Sequence, residues 1–80
     1  MATHLSTAVF ADILKRLRKK SNLSREALAE KADCSASSIR RLELKERGPS
    51  LEMVLKLSRG LDYSAAKLVG EIVREIEPPE

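Results

Sequence analysis

Apolar residues recur along this chain at spacings of three and four, the period of an α-helix, and show none of the strict two-residue alternation of a half-buried strand. Val9, Ile13 and Leu17 form one stripe, with Phe10 and Leu14 beside it. Leu28 and Ala32, then Ile39 and Leu42, then Leu51, Val54, Leu55 and Leu57 repeat the theme. Leu68, Ile72 and Ile76 close it, flanked by Val69 and Val73. A second pattern marks the starts: an apolar residue, Ser, three residues, another apolar residue. It occurs as Leu5-Ser6…Phe10, Leu23-Ser24…Leu28, Cys34-Ser35…Ile39 and Tyr63-Ser64…Leu68. A Ser hydroxyl before a helix accepts a hydrogen bond from a first-turn N–H that has no partner in the helix. The apolar residues on either side of it pack together as a staple. Ser50, following Pro49, is a fifth cap of the same kind without the apolar partner. The expectation is a compact, all-α, five-helix domain filling residues 1–80, with helices over 7–20, 25–32, 36–44, 51–59 and 65–76. Gly60 stops the fourth helix, and the fifth ends before Pro78-Pro79.

Only Asp33, Cys34 and Ser35 separate the second helix from the third. So short a link makes the two cross steeply, and the small Ala29 and Ala32 sit where they approach. Asp33 falls at the bend, where Asp tolerates a left-handed backbone better than most residues. Together these features predict a helix-turn-helix.

Composition narrows the function. The chain has 80 residues, 42% hydrophobic and 34% charged, which is globular rather than disordered. Phe10 and Tyr63 are its only aromatics, too few for a platform on which single-stranded bases stack. Cys34 and His4 are each the only residue of their type, so neither a disulfide within the chain nor a structural zinc site is expected, and no metal or cofactor. No apolar run approaches the roughly 18 residues of a membrane span, and no secretory signal opens the chain. A cytoplasmic protein with no membrane contact is expected. Without a Gly-rich phosphate loop or a catalytic constellation, no enzyme is expected, and no catalytic residue is assigned. Net charge is +3 but uneven: residues 1–49 hold 11 Lys/Arg against 6 Asp/Glu, and residues 50–80 hold 4 against 6. On charge alone this suits one face for a polyanion and another for something else, or is simply an ordinary solvated surface.

From about residue 14 to residue 68 the sequence resembles the phage repressor and Cro type of helix-turn-helix domain, the Xre family. The likeness lies in Leu-Arg of the first helix, Leu23-Ser24…Leu28-Ala29-Glu30-Lys31-Ala32, Ser35…Ile39-Arg40-Arg41-Leu42-Glu43 and Pro49-Ser50-Leu51. No single element is specific, but the ordered set is. The chain departs from the family pattern at Asp33, where the family usually has Gly at the turn. It departs again at Arg25, usually Gln, and at Lys45, usually Gly. The resemblance implies a repressor-like fold, double-stranded DNA as partner and transcription regulation as function.

The third helix carries the expected base contacts. With Ile39 and Leu42 turned to the core, a rotation of about 100° per residue leaves Ser37, Arg40, Arg41 and Leu44 outside. Ser35, Ala36 and Ser37 are short enough at its leading end to approach base edges in the major groove. Arg40 and Arg41 offer forked donors suited to guanine, Arg41 at a position that commonly reads a base in the family. Arg25 opens the second helix, where unpaired N–H groups favour an anion, and its family counterpart grips a phosphate. Lys45 and Arg47 fall where the family's loop follows the DNA backbone. Arg18 and Glu43 match a family ion pair and are expected to clamp the third helix. Cys34 is read as a small apolar residue at the turn, and Lys15, Arg16, Lys19 and Lys20 as complements to the negative end of the first helix.

The fifth helix, residues 64–77 with its cap, extends beyond the resemblance. Leu68, Val69, Ile72, Val73 and Ile76 are its candidate dimer residues; the alternative is that they merely cover the core. A homodimer would set two recognition helices about 34–36 Å apart on a near-palindromic operator. The expected function is therefore a sequence-specific regulator, a repressor in the first instance. Two other readings stand beside it: an antitoxin whose tail Glu75-Ile76-Glu77-Pro78-Pro79-Glu80 holds a toxin partner, and a protein–protein adaptor that kept the fold without DNA binding.

Overall fold

Five α-helices make up the described residues: α1 (Leu5–Lys20), α2 (Arg25–Ala32), α3 (Ala36–Glu43), α4 (Leu51–Gly60) and α5 (Ala65–Ile76). The computed structural model describes residues 5–77. His4 and the Pro78-Pro79-Glu80 end of the acidic tail lie outside the described residues.

Ser24, Ser35, Ser50 and Ser64 each cap a helix, their hydroxyls accepting hydrogen bonds from Ala27, Ser38, Met53 and Lys67 N–H. What precedes three of these caps explains the short links. Asn22, Asp33 and Asp62 take left-handed φ values of 59°, 56° and 54° and turn the chain out of the helix. The next residue then donates its N–H five residues back: Leu23 to Arg18 O, Cys34 to Ala29 O, Tyr63 to Ser58 O, at 3.1, 3.0 and 2.8 Å. This 6→1 bond, with a 5→2 bond beside it, satisfies carbonyls that the helix end leaves free. Leu23, Cys34 and Tyr63 also pack against the core. One apolar residue therefore finishes each helix and staples the start of the next.

Phe10, Leu14, Leu28, Ile39, Leu42, Leu57 and Leu68 are the largest fully buried side chains and come from all five helices. α2 lies against α3 and α4, α1 against α3 and α5, and α4 against α5. The described residues contain no helix long and apolar enough to cross a membrane.

Three expectations change. Ser6 does not cap α1, because the helix already begins at Leu5. Thr7 in that first turn is buried, and a Cβ placed on Gly48 would sit 2.8 Å from its Oγ1. Packing against the loop after α3 thus holds a turn that the local signal would leave unwound. α3 ends at Glu43, with Leu44 as its cap residue. Gly60 does not stop α4 but is its last helical residue, and Asp62 makes the turn. Gly60 is there for space: a Cβ on it would lie 2.9 Å from Ala32 Cβ and 3.0 Å from Ala32 N. Glycine lets the end of α4 rest on the end of α2, beside the turn that leads into α3.

Candidate nucleic-acid interface

α3 starts at Ala36 because Ser35 has extended backbone and its Oγ accepts from Ser38 N–H at 3.0 Å. The same hydroxyl donates to Ser38 Oγ at 2.8 Å. Ile39 and Leu42 then turn inward and are fully buried. Ser37, Arg40, Arg41 and Leu44 are left exposed, as their angular positions require. Neither Arg40 nor Arg41 has a carboxylate within ion-pair distance among the described residues. The outer surface of the helix is therefore small at its leading end and carries two uncommitted guanidinium groups behind it.

The other base-reading candidates stand differently. The Ser35 hydroxyl is engaged in capping and in the bond to Ser38. Ala36 is half-buried and packs on the core. Of the five, the structure brings Ser37, Arg40 and Arg41 to one exposed face. Ser38, missed in the sequence, sits half-buried beside them with its hydroxyl paired to Ser35; no pattern in the chain distinguishes it from its serine neighbours.

The inner side of α3 is tied down by Glu43, whose side chain is only 1% exposed. Arg18 grips it as a fork, Nε to Oε2 at 2.6 Å and Nη2 to Oε1 at 3.0 Å. Arg18 Nη1 also donates to Leu23 O at 2.9 Å. Arg25 Nε reaches Glu43 Oε1 at 3.1 Å. A single carboxylate thus fastens α1, α2 and α3 together. Burial alone would raise its pKa, but the hydrogen bonds and charges of Arg18 and Arg25 together outweigh that and the net shift is downward. The hydrogen bond that Arg18 donates to Glu43 in turn raises the Arg18 pKa. The sequence does not reveal that Arg25 joins the pair: residues 25 and 43 lie 18 apart, and only the crossing of α2 over α3 brings them together.

Arg25 is half-buried, its Nε turned inward to Glu43, while its terminal nitrogens make no hydrogen bond among the described residues. Lys45 takes a φ of 65°, occupying without glycine the left-handed position where the family usually has it. Lys45 and Glu46 donate back to Leu42 O and Arg41 O, closing α3 as the Asn and Asp turns close α1, α2 and α4. Lys45 Nζ lies 3.7 Å from Asp12 Oδ1, an exposed contact. Arg47 is exposed in the same loop. Cys34 is half-buried at the α2–α3 turn, and burial raises its thiol pKa.

On α5 the two apolar rows separate. Leu68 is 1% exposed and belongs to the core, which removes it from the candidate dimer surface. It stands four residues after the Ser64 cap, on the helix that packs against α1 and α4. Ile72 and Ile76 are half-buried, while Val69 and Val73 are 41% and 46% exposed. α5 is moored by a polar set that the sequence did not suggest. Arg16 Nη2 donates to Glu71 Oε1 at 2.8 Å, the Tyr63 hydroxyl donates to Glu71 Oε2, and Lys67 Nζ lies 5.1 Å from the Tyr63 ring centre. The bonds from Tyr63 and Arg16 hold the Glu71 pKa down, and Glu71 raises that of Tyr63.

Known proteins agree with this geometry. The helix-turn-helix family matches residues 14–68. No curated protein matches the chain. Among solved structures, the restriction–modification controller protein C.AhdI from Aeromonas hydrophila is 31% identical, with a TM-score of 0.76 over 81% of this chain and 98% of that one. A point mutant of the controller protein C.Esp1396I is 18% identical, with a TM-score of 0.85 over 99% of this chain and all of that one (100%). Its wild-type form is 20% identical, with a TM-score of 0.79 over 89% and 92%. The chain belongs to the helix-turn-helix family of DNA-binding regulators.

Proposed function

We propose that this protein is a sequence-specific, double-stranded-DNA-binding transcription regulator that lays α3 in the major groove and acts in the cytoplasm as a two-fold dimer. The observation that carries the reading is the outer face of α3, where Ser37, Arg40 and Arg41 are exposed while Glu43 fixes the opposite side. A small leading edge lets the helix approach the bases, and guanidinium forks suit the O6 and N7 of guanine. Arg25, Lys45 and Arg47 supply backbone contacts that set register without reading sequence. The protein is a binding protein in this reading, not an enzyme.

The dimer is joined through α5. Val69 and Val73 offer an exposed apolar row, with Ile72 and Ile76 half-covered beside it. Gly70 adds to this: a Cβ there would meet nothing within 4 Å among the described residues. Glycine inside a helix costs about 0.5–1 kcal/mol against alanine, and nothing among those residues requires it. A second helix backbone approaching closely would. The likeness to C.AhdI favours control of a restriction–modification system as the regulated process, and the genes beside this one are the inexpensive check.

Selection from random duplexes tests the function, and Arg41→Ala tests the mechanism. Wild type is expected to enrich a near-palindromic site, and the variant to lose about 1–3 kcal/mol of discrimination at one base pair in each half-site. A variant weakened equally on selected and random DNA would contradict base reading. A wild-type protein that ignores duplex DNA at low salt would contradict the function itself.

A further inference from the structure

An open basin of about 450 Å³ lies where the end of α1 meets the start of α2, lined by Lys15, Arg18, Lys19, Ser24, Arg25 and Glu26. Four cations face one carboxylate. Arg18 is committed to Glu43 beneath, and Arg25 partly so. Lys15 and Lys19 are exposed, and neither has a carboxylate within ion-pair distance among the described residues. They stand one helical turn apart on α1, where like charges repel and weaken a helix. The negative end of the helix offsets such charges only within its last turn. That accounts for Lys19 and Lys20, but Lys15 lies beyond it.

The basin adjoins the recognition unit. Asp12, Lys15 and Lys19 share one stripe of α1 at spacings of three and four. Lys45, just past α3, reaches that stripe at Asp12. At its other end Arg25 opens α2. The stripe thus runs from Lys45, past the Asp12 carboxylate that it contacts, through Lys15 and Lys19 to Arg25 at the start of α2.

We propose that Lys15 and Lys19 form, with Arg25, a contact for DNA backbone phosphates on α1, outside the helix-turn-helix unit. The proposal rests on the DNA-binding reading above. The partner is a phosphodiester backbone and no particular base, because flexible ammonium groups around an open basin fix charge and not a hydrogen-bonding pattern. The contact adds affinity and salt dependence equally on every sequence.

The test compares two double variants matched in net charge: Lys15→Gln with Lys19→Gln, and Lys67→Gln with Arg74→Gln on α5. Affinity for the selected duplex and for a random duplex is measured across a salt series. Each phosphate contact contributes about −0.9 to the slope of log affinity against log salt. The α1 variant should flatten the slope by about 1–2 on both duplexes. Raising salt from about 50 to about 200 mM should then cost wild type about tenfold more affinity than the variant. The α5 variant should keep the wild-type slope. An unchanged slope in the α1 variant, or equal flattening in both, overturns the contact while the DNA-binding reading stands. A wild type that fails to bind either duplex overturns both.

Discussion

α3 and α5 are built alike and end up with different outer faces. Each packs one side against α1, and each is fastened there by an arginine of α1: Arg18 to Glu43 of α3, Arg16 to Glu71 of α5. The two fastenings differ in depth. Glu43 is 1% exposed and held by two arginines, whereas Arg16 is 60% exposed and makes a single contact at 2.8 Å. The outer faces differ in chemistry too, small and cationic on α3, aliphatic on α5. What a helix keeps on its outside after the core is satisfied names the class of its partner. How firmly its inside is fastened tells how much geometry that partner requires. Base reading demands a helix fixed in position and orientation. An apolar contact between two copies tolerates adjustment.

The largest expected effect falls on the fastenings. Glu43→Ala leaves Arg18 poorly solvated and unpaired, and should cost about 3–5 kcal/mol. Glu71→Gln should cost less than about 1 kcal/mol, because its partner is largely exposed. Urea denaturation compares the two, and equal losses would break the distinction between a deep and a shallow fastening. Acid sharpens it. The Glu43 pKa is lowered in the folded state, so its contribution is fully present above the unfolded carboxylate range, about pH 4.3, and is lost as pH falls through the lower folded value. Denaturation curves taken between neutral and strongly acid pH should show this loss in wild type, and Glu43→Gln should remove that part of it.

Next comes the α5 face. Val69→Glu with Val73→Glu places two charges on the apolar row without touching α3. Sedimentation should report a monomer, and operator affinity should drop by about 10²-fold or more, since each half-site then binds alone. A charged α5 that left both the oligomer and the affinity unchanged would separate α5 from assembly. The smallest effect is expected at the turn after α3. Lys45→Gly relieves a left-handed side chain and should raise stability by about 0.5–1 kcal/mol, offset in part by the freer unfolded chain. A thermal melt checks the sign; a loss of stability would mean that the Lys45 contact with Asp12 outweighs the relief.

Much of this was legible in the sequence because it is local. Four Ser caps, the Asp33 turn and the apolar stripes act within a few residues, and α2 and α5 span the positions their spacing suggested. Asn22 and Asp62 repeat the Asp33 device, so three links have a visible signature, whereas Lys45 carries no residue that announces a left-handed turn. Features that depend on distant segments were hidden. Gly60 resembles a helix stop until Ala32 is seen against it. Ser6 resembles a cap until the loop at Gly48 is seen holding Thr7. Arg25 resembles a free cation until the helix crossing delivers it to Glu43. The Arg18–Glu43 pair, 25 residues apart, was suggested only by family resemblance.

Amide chemical shifts followed while a selected duplex is titrated into the protein test the central contrast most directly. The account expects large changes at Ser37, Arg40 and Arg41, smaller ones at Arg25 and Lys45, and none at Val69 or Val73 when the dimer is already saturated. Changes centred on α5 with α3 undisturbed would contradict it.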